Sequence, residues 1–201
     1  MVTTVYIVRH AHARGNEERF FQGCLDTDLS KKGEEQLLEL SKRFSKISLD
    51  KIFSSDLLRA KKTAQAVKTG AGFKGEILFL KELREMSFGS LEGVSIDSFY
   101  KDSQFEEKSK LWDNQPESFS CENGETMEEV FLRMKSAFLD ILNQNKGKSL
   151  AIVSHGCSIR NLCAFLLGGD ISFLKSTPWV HHADFATFKI DENGNVFLSF
   201  C

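Results

Sequence analysis

Residues 3–8, Thr3-Thr4-Val5-Tyr6-Ile7-Val8, constrain the fold more than any other stretch. Their apolar positions run consecutively instead of alternating. A strand with that pattern is buried on both faces, as in a parallel sheet covered by helices. The strand runs directly into Arg9-His10. Parallel α/β sheets bind their ligands outside the carboxyl ends of their strands. A cation and an imidazole are costly to bury there without a partner. The pair therefore reads as an anion site with a histidine that does chemistry, phosphate being the expected anion.

The rest of the chain alternates strands and helices. A long loop, 11–29, holds Phe20-Phe21-Gln22-Gly23. Ser30 opens a helix to about Ile47, with Leu37, Leu40, Phe44 and Ile47 at helical spacing. Lys51-Ile52-Phe53 is a short strand, and Ser54-Ser55 is expected to cap the next helix, which runs to about Lys68. Ile77–Leu80 is expected to be another buried strand. Residues 90–124 lack a long periodic frame and read as a small helical cap insertion, with short helices near 95–101 and 104–112. Thr126 and Glu129 form a capping box for a helix to about Asn143. The strand at 149–154 ends in His155-Gly156, a helix follows to Leu167, and Gly168-Gly169 stops it. Residues 185–190 and 196–200 form a hairpin around Asp191–Asn195. The expected architecture is α/β: a three-layer, mainly parallel sheet with helices on both faces and an antiparallel C-terminal edge. With 201 residues it is expected to be one domain, 1–201.

Composition narrows the function. Net charge is −2 and no block of five or six basic residues occurs, so neither nucleic acid nor an anionic membrane is an expected partner. No apolar run is long enough to span a bilayer. The five cysteines form no CxxC pair or zinc-ligand spacing, and no leader precedes the first strand; a cytoplasmic protein without disulfides is the expectation.

Two strands end in histidine, at His10 and His155, and two strand ends in one parallel sheet open on the same edge. Arg9 lies beside the first, Gly156 heads a helix beside the second, and Arg59 sits in the first turn after Phe53. Helix-start amides and guanidinium forks both suit phosphoryl oxygens. Asn16 adds a neutral donor. His12 reads as a residue behind the site or at the surface, His181-His182 as surface or pocket rim, and Cys157 as a buried thiol.

The motifs resemble those of the histidine phosphatase superfamily, the phosphoglycerate-mutase-like fold. The family's Arg-His-Gly and following Asn appear as Arg9-His10-Ala11 and Asn16. Gln22-Gly23 and Leu29-Ser30-Lys31-Lys32-Gly33 follow in family order. The block from Ser55 to Ala64, the Glu85-x-x-x-Gly89 acid motif and His155-Gly156 complete the set. In length and motifs the chain is similar to the small broad-specificity and ribazole-type phosphatases. The resemblance implies a metal-independent phosphomonoester phosphatase with no cofactor and a small-molecule substrate. His10 would be the nucleophile, Glu85 the acid, and His155, Arg9, Asn16, Arg59 and Gly156 the phosphate holders. Phe21, Gln22, Gly23 and Glu82 are assigned to the substrate pocket, Glu82 also as the alternative acid. The chain departs from the family at Ala11-His12-Ala13, where Gly, Glu or Gln, and Thr or Ser are usual, and at Asp28, where Pro is common.

Three alternatives stand beside this reading. A phosphoglycerate mutase would share the fold. Such mutases resemble longer chains with an Arg-rich insertion, whereas Arg133 is the only arginine between Glu85 and His155 here. His10-x-His12 could begin a metal hydrolase site. A non-catalytic phosphate-binding module is the fourth possibility.

Overall fold

The computed structural model describes residues 1–199. Its six-stranded sheet has the order β3-β2-β4-β1-β5-β6, with β1 at Thr3–Arg9, β2 at Lys51–Ser54, β3 at Ile77–Phe79, β4 at Ser149–Ser154, β5 at Phe185–Ile190 and β6 at Val196–Ser199. The first four strands run parallel to one another, and β5 and β6 are antiparallel.

Both faces of β1 are covered, as its unbroken apolar run requires. Val5 and Ile7 pack on one side with Leu150 and Ile152 of β4, beneath the helices Met127–Gln144 and Gly156–Gly168. Tyr6 and Val8 face the other side with Ala151 and Val153, beneath Lys31–Phe44 and Leu58–Gly70. In chain order these helices are α2 (Lys31–Phe44), α3 (Leu58–Gly70), α6 (Met127–Gln144) and α7 (Gly156–Gly168), with α1 at Arg14–Glu17, α4 at Ile96–Lys101 and α5 at Glu106–Asn114.

Local chemistry sets most boundaries. Ser30 caps α2 through Gly33 N–H. Thr126 and Glu129 close the expected capping box on α6. Gly169, at φ 76°, ends α7 in the left-handed conformation that glycine adopts freely. The insertion does not build its own core: Leu91, Phe99 and Phe119 join the cluster beneath α6 and α7.

Four expectations change. Helix α2 ends at Phe44, so Ile47 lies in the turn beyond it. Ser55 is not the cap of α3, which starts at Leu58; Asp26, from the long loop, accepts the Leu58 N–H instead at 2.6 Å. The strand at 77–79 is not buried. It is the last strand of the sheet, and Leu78 and Phe79 are exposed. Phe200, expected in the last strand, lies outside the described residues.

Candidate active site

Sheet register assembles the site. In the β1–β4 pair, Arg9 stands opposite Ser154. The residues that follow, His10 and His155, therefore leave the sheet side by side. His10 N–H donates to the Ser154 carbonyl at 2.9 Å, and the two imidazole rings lie 5.0 Å apart.

Both rings are almost fully buried, and each has its tautomer assigned by its partners. His10 Nδ1 is 2.7 Å from the carbonyl oxygen of Ala11. A carbonyl only accepts, so Nδ1 carries the proton and the lone pair sits on Nε2. For His155, Nε2 is 2.8 Å from Ser55 Oγ. Besides that ring, the Ser55 hydroxyl meets only a donor, Leu57 N–H at 3.3 Å, so its proton has no other acceptor. The serine proton goes to Nε2, which leaves His155 Nδ1 as a donor. Burial, then the positive groups around them, hold both imidazoles well below their ordinary pKa. The His10 ring is thus neutral, the form that can act as a nucleophile.

Ala11 takes the place of the family's glycine without strain. Its backbone is not among the positive-φ residues, its N–H donates to Thr63 Oγ1 at 2.9 Å, and its methyl is buried against α3. His12 turns away: Nδ1 meets Ser30 Oγ at 2.8 Å. Its carbonyl lies so close to Gly33 that a Cβ there would approach within 2.0 Å of the oxygen.

The cationic residues are bound in part to the protein and in part to nothing. Arg59 is fully buried. Its terminal nitrogens donate to the carbonyls of Leu25, Gln22 and Gly23 at 2.8–2.9 Å, pinning the 22–25 loop to α3. Arg9 Nη1 donates to the Val180 carbonyl at 2.9 Å. Gln22 has its Oε1 taken by the Thr27 hydroxyl at 2.6 Å. Five buried nitrogens in this neighbourhood have no hydrogen-bond partner among the described residues: Arg9 Nε, Arg59 Nε, Gln22 Nε2, His155 Nδ1 and His182 Nε2. Buried donors are almost always satisfied. Asn16 Oδ1 accepts from Ala13 N–H at 2.9 Å, which leaves its amide NH2 to the cleft.

Glu85 comes from the segment after β3. Its Oε1 accepts from the N–H groups of Met86 and Ser158 at 2.9 and 3.0 Å; Oε2 accepts from Cys157 N–H at 3.0 Å. A carboxylate on the first amides of α7 is favourably placed. The sequence assigned those amides to phosphate; Glu85 occupies two of them. The segment is laced to the sheet by Ser154 Oγ on the Leu83 carbonyl (2.8 Å) and Ser158 Oγ on the Arg84 carbonyl (2.7 Å). Arg84 clamps Asp56 through two bonds of 2.6 and 2.7 Å. Arg133 binds Glu125 and the carbonyls of Glu82 and Arg84, so its charge braces this segment from behind.

These groups line one cleft of about 160 Å³. Part of the lining is polar: Arg9, His10, Asn16, Gln22, Arg59, Glu85 and Gly156. Part is aromatic and apolar: Phe20, Phe21, Phe88, Ile96, Trp112 and Trp179. Two residues assigned to the pocket lie elsewhere. Glu82 is exposed and faces a separate groove with Leu78 and Asp140. Gly23 sits behind the cleft, where a Cβ would come within 2.1 Å of the Met86 carbonyl oxygen. Cys157 is buried on the cleft wall, its thiol raised well above the ordinary range by burial.

Sequence reasoning missed two participants. His182 is half-buried. Its ring packs 5.3 Å from His10 and 5.3 Å from His12, and burial, followed by the Arg9 charge, lowers it to about 3. Ala183 beside it has φ 53° and donates to the carbonyls of Arg9 and His10. Trp179 carried no periodic signal at all. No three His, Cys, Asp or Glu side chains among the described residues converge as a metal-holding set.

Known proteins resemble this chain in sequence and in fold. Over 82% of the chain and 74% of the relative, the sequence is 34% identical to a probable phosphoglycerate mutase, GpmB, of Salmonella choleraesuis. Among solved structures, Bacillus stearothermophilus YhfR superposes with a TM-score of 0.88 at 27% identity, covering 98% of this chain and 95% of that one. A phosphoserine phosphatase from Entamoeba histolytica, in complex with 3-phosphoglyceric acid, superposes with a TM-score of 0.83 at 25% identity, covering 98% and 95%. The profile of the histidine phosphatase superfamily (branch 1) matches residues 5–201. With paired strand-end histidines, the arginines beside them and a sequence profile that spans nearly its whole length, the chain belongs to the histidine phosphatase superfamily, whose members are phosphatases or mutases.

Proposed function

We propose that the protein is a phosphomonoester phosphatase that works through a phosphohistidine on His10. The observation that carries this is a set of buried donors without partners beside a neutral imidazole: Arg9 Nε, Arg59 Nε and Gln22 Nε2 on residues that line one cleft with His10, and Nδ1 of His155, whose ring lies 5.0 Å from that of His10. Such donors match the oxygens of a phosphoryl group, and their fixed placement is the main source of catalysis in phosphoryl transfer.

In the first step the Nε2 lone pair attacks phosphorus and the P–O ester bond breaks. Protonated Glu85 gives its proton to the departing oxygen. In the second step water attacks phosphorus, Glu85 takes the water proton, and the P–N bond breaks to restore His10. Oε2 of Glu85 has one protein partner, Cys157 N–H, which leaves a lone pair for this exchange. The charge neutralisation comes from the chain's own cations, so no step calls for a metal.

The mutase reading rests on the likeness to the Salmonella protein. A mutase must also hold the second charged group of a phosphoglycerate. Beyond Arg9 and Arg59, the lining of this cleft adds Phe20, Phe21, Phe88, Ile96, Trp112 and Trp179 and no further cation. The volume, about 160 Å³, is below the roughly 300–1,000 Å³ of drug-sized pockets and favours a small monoester. Assays of p-nitrophenyl phosphate hydrolysis and of 3-phosphoglycerate isomerisation, each with and without EDTA, test the proposal. Hydrolysis that is faster than isomerisation and indifferent to EDTA is expected. Faster isomerisation, or loss of hydrolysis in EDTA, would overturn it.

A further inference from the structure

The aromatic lining of the cleft is built from distant parts of the chain. Trp112 comes from α5 in the insertion, and Trp179 from the strap between α7 and β5. Their indoles stack across the cleft wall with centroids 6.3 Å apart and planes at 30°. At that separation they touch each other and leave no room for a ring between them. Stacked and tilted in this way they make one aromatic wall, and both line the cleft.

The wall is rigid on its inner side and tied to the polar lining on its outer side. Trp112 packs on Phe119 with centroids 4.8 Å apart, and at 6.0 Å on Phe21 and Phe88. Trp179 lies under the guanidiniums of Arg160, at 4.7 Å, and Arg9, at 5.9 Å. Arg9 also donates to the carbonyl of Val180, the next residue. The wall that meets the body of the substrate is therefore joined to a guanidinium of the phosphoryl cradle.

Resting on the phosphatase reading above, we infer that the enzyme selects monoesters with a planar aromatic body close to the phosphate, and that the Trp112–Trp179 wall is the selecting element. The short distance from Arg9 to the Trp179 ring favours a phosphate borne on the ring or one carbon away. Contact with a preformed aromatic wall recovers more than burial alone, because flat rings favour offset or edge contacts that saturated rings lack. The two tryptophans differ in role. Trp112 contacts substrate only. Trp179 contacts substrate and is also a positioning residue for Arg9.

Benzyl phosphate and cyclohexylmethyl phosphate test this, because both release a primary alkoxide and differ in the flatness of the ring. The kcat/KM ratio of benzyl to cyclohexylmethyl ester is expected to be at least about tenfold, the equivalent of about 1.4 kcal/mol. Trp112→Ala and Trp179→Ala should each pull the ratio toward one, and Trp112→Phe should restore most of it. Trp112→Ala should act through KM, whereas Trp179→Ala should lower kcat as well, with Trp179→Phe recovering kcat. A ratio near one in the unaltered enzyme, or a ratio that survives both alanine variants, overturns the inference. If p-nitrophenyl phosphate is hydrolysed but the ratio is one, this inference alone falls. If none of the three esters is hydrolysed, the phosphatase reading falls with it.

Discussion

Glu85 Oε2 accepts the backbone N–H of Cys157 at 3.0 Å, so the carboxylate assigned to proton transfer is seated on the helix that His155 introduces. The seat could serve stability alone, and leaving-group dependence separates that role from acid catalysis. Glu85→Gln should lower kcat on benzyl phosphate by about 10²–10⁴-fold, the usual range for a positioned acid. The loss on p-nitrophenyl phosphate, whose leaving group departs without protonation, should be at least about tenfold smaller. Equal losses on both esters would reduce Glu85 to a structural cap.

Gly156 allows Arg9 to lie over the head of α7. A Cβ at this position would come within 2.9 Å of Arg9 Nη2. The clash is with a movable side chain, so Gly156→Ala should leave stability unchanged or raise it by about 0.4–1 kcal/mol. The displaced guanidinium should lower kcat/KM by roughly 10- to 100-fold. Chemical denaturation and steady-state kinetics on one preparation check both halves.

Two buried imidazoles and a half-buried one make stability depend on pH. His10 and His155 are held well below their ordinary range, and His182 at about 3, in each case first by burial. In the unfolded chain each binds its proton near 6.5. Below that pH the unfolded state carries more protons than the native one, so stability falls as pH drops through 6.5 and is fully present above it. Each group contributes a slope of about 1.4 kcal/mol per pH unit in the window below 6.5. His182→Phe keeps a ring against His10 and removes one titrating group. It should lower the slope by about one such unit, measured by urea denaturation between pH 5 and 7. An unchanged slope would place the His182 proton elsewhere.

Arg59 binds the loop as well as the proposed phosphate. Arg59→Met removes the donors to the carbonyls of Gln22, Gly23 and Leu25, and should cost roughly 2–4 kcal/mol of stability. Affinity for inorganic phosphate as a competitive inhibitor should fall in the same variant. Arg59→Lys keeps the charge but not the planar fork, and should lose most of the loop's hydrogen bonds while folding. Melting curves and inhibition constants measure the two effects separately.

Much of this molecule is legible in the sequence where a local pattern has a local cause. The consecutive apolar run of β1 dictates burial on both faces, and Leu29-Ser30-x-x-Gly33 encodes both the α2 cap and the close approach of the His12 carbonyl. What stayed hidden depends on strand order and on contacts across the chain. The run Ile77–Leu80 reads as interior, yet β3 ends the sheet, and nothing within those residues reports their place in it. Ser55 has the character of a helix cap but is spent on His155, a hundred residues away, while Asp26 supplies the missing acceptor. His182 reaches His10 only because β5 pairs antiparallel with β1 and Ala183 takes a positive φ. The anchoring of Glu85 on α7 and the meeting of Trp112 with Trp179 likewise need the folded chain.

The central claim is a covalent phosphoryl group on His10, and rapid-quench labelling tests it most directly. The enzyme is mixed with a ³²P-labelled aryl phosphate, quenched in alkaline denaturant, digested and mapped. The account predicts label on the peptide carrying His10, stable to alkali and lost in mild acid, and neither label nor turnover in His10→Ala. Label on another residue, or hydrolysis by His10→Ala at the unaltered rate, would contradict it.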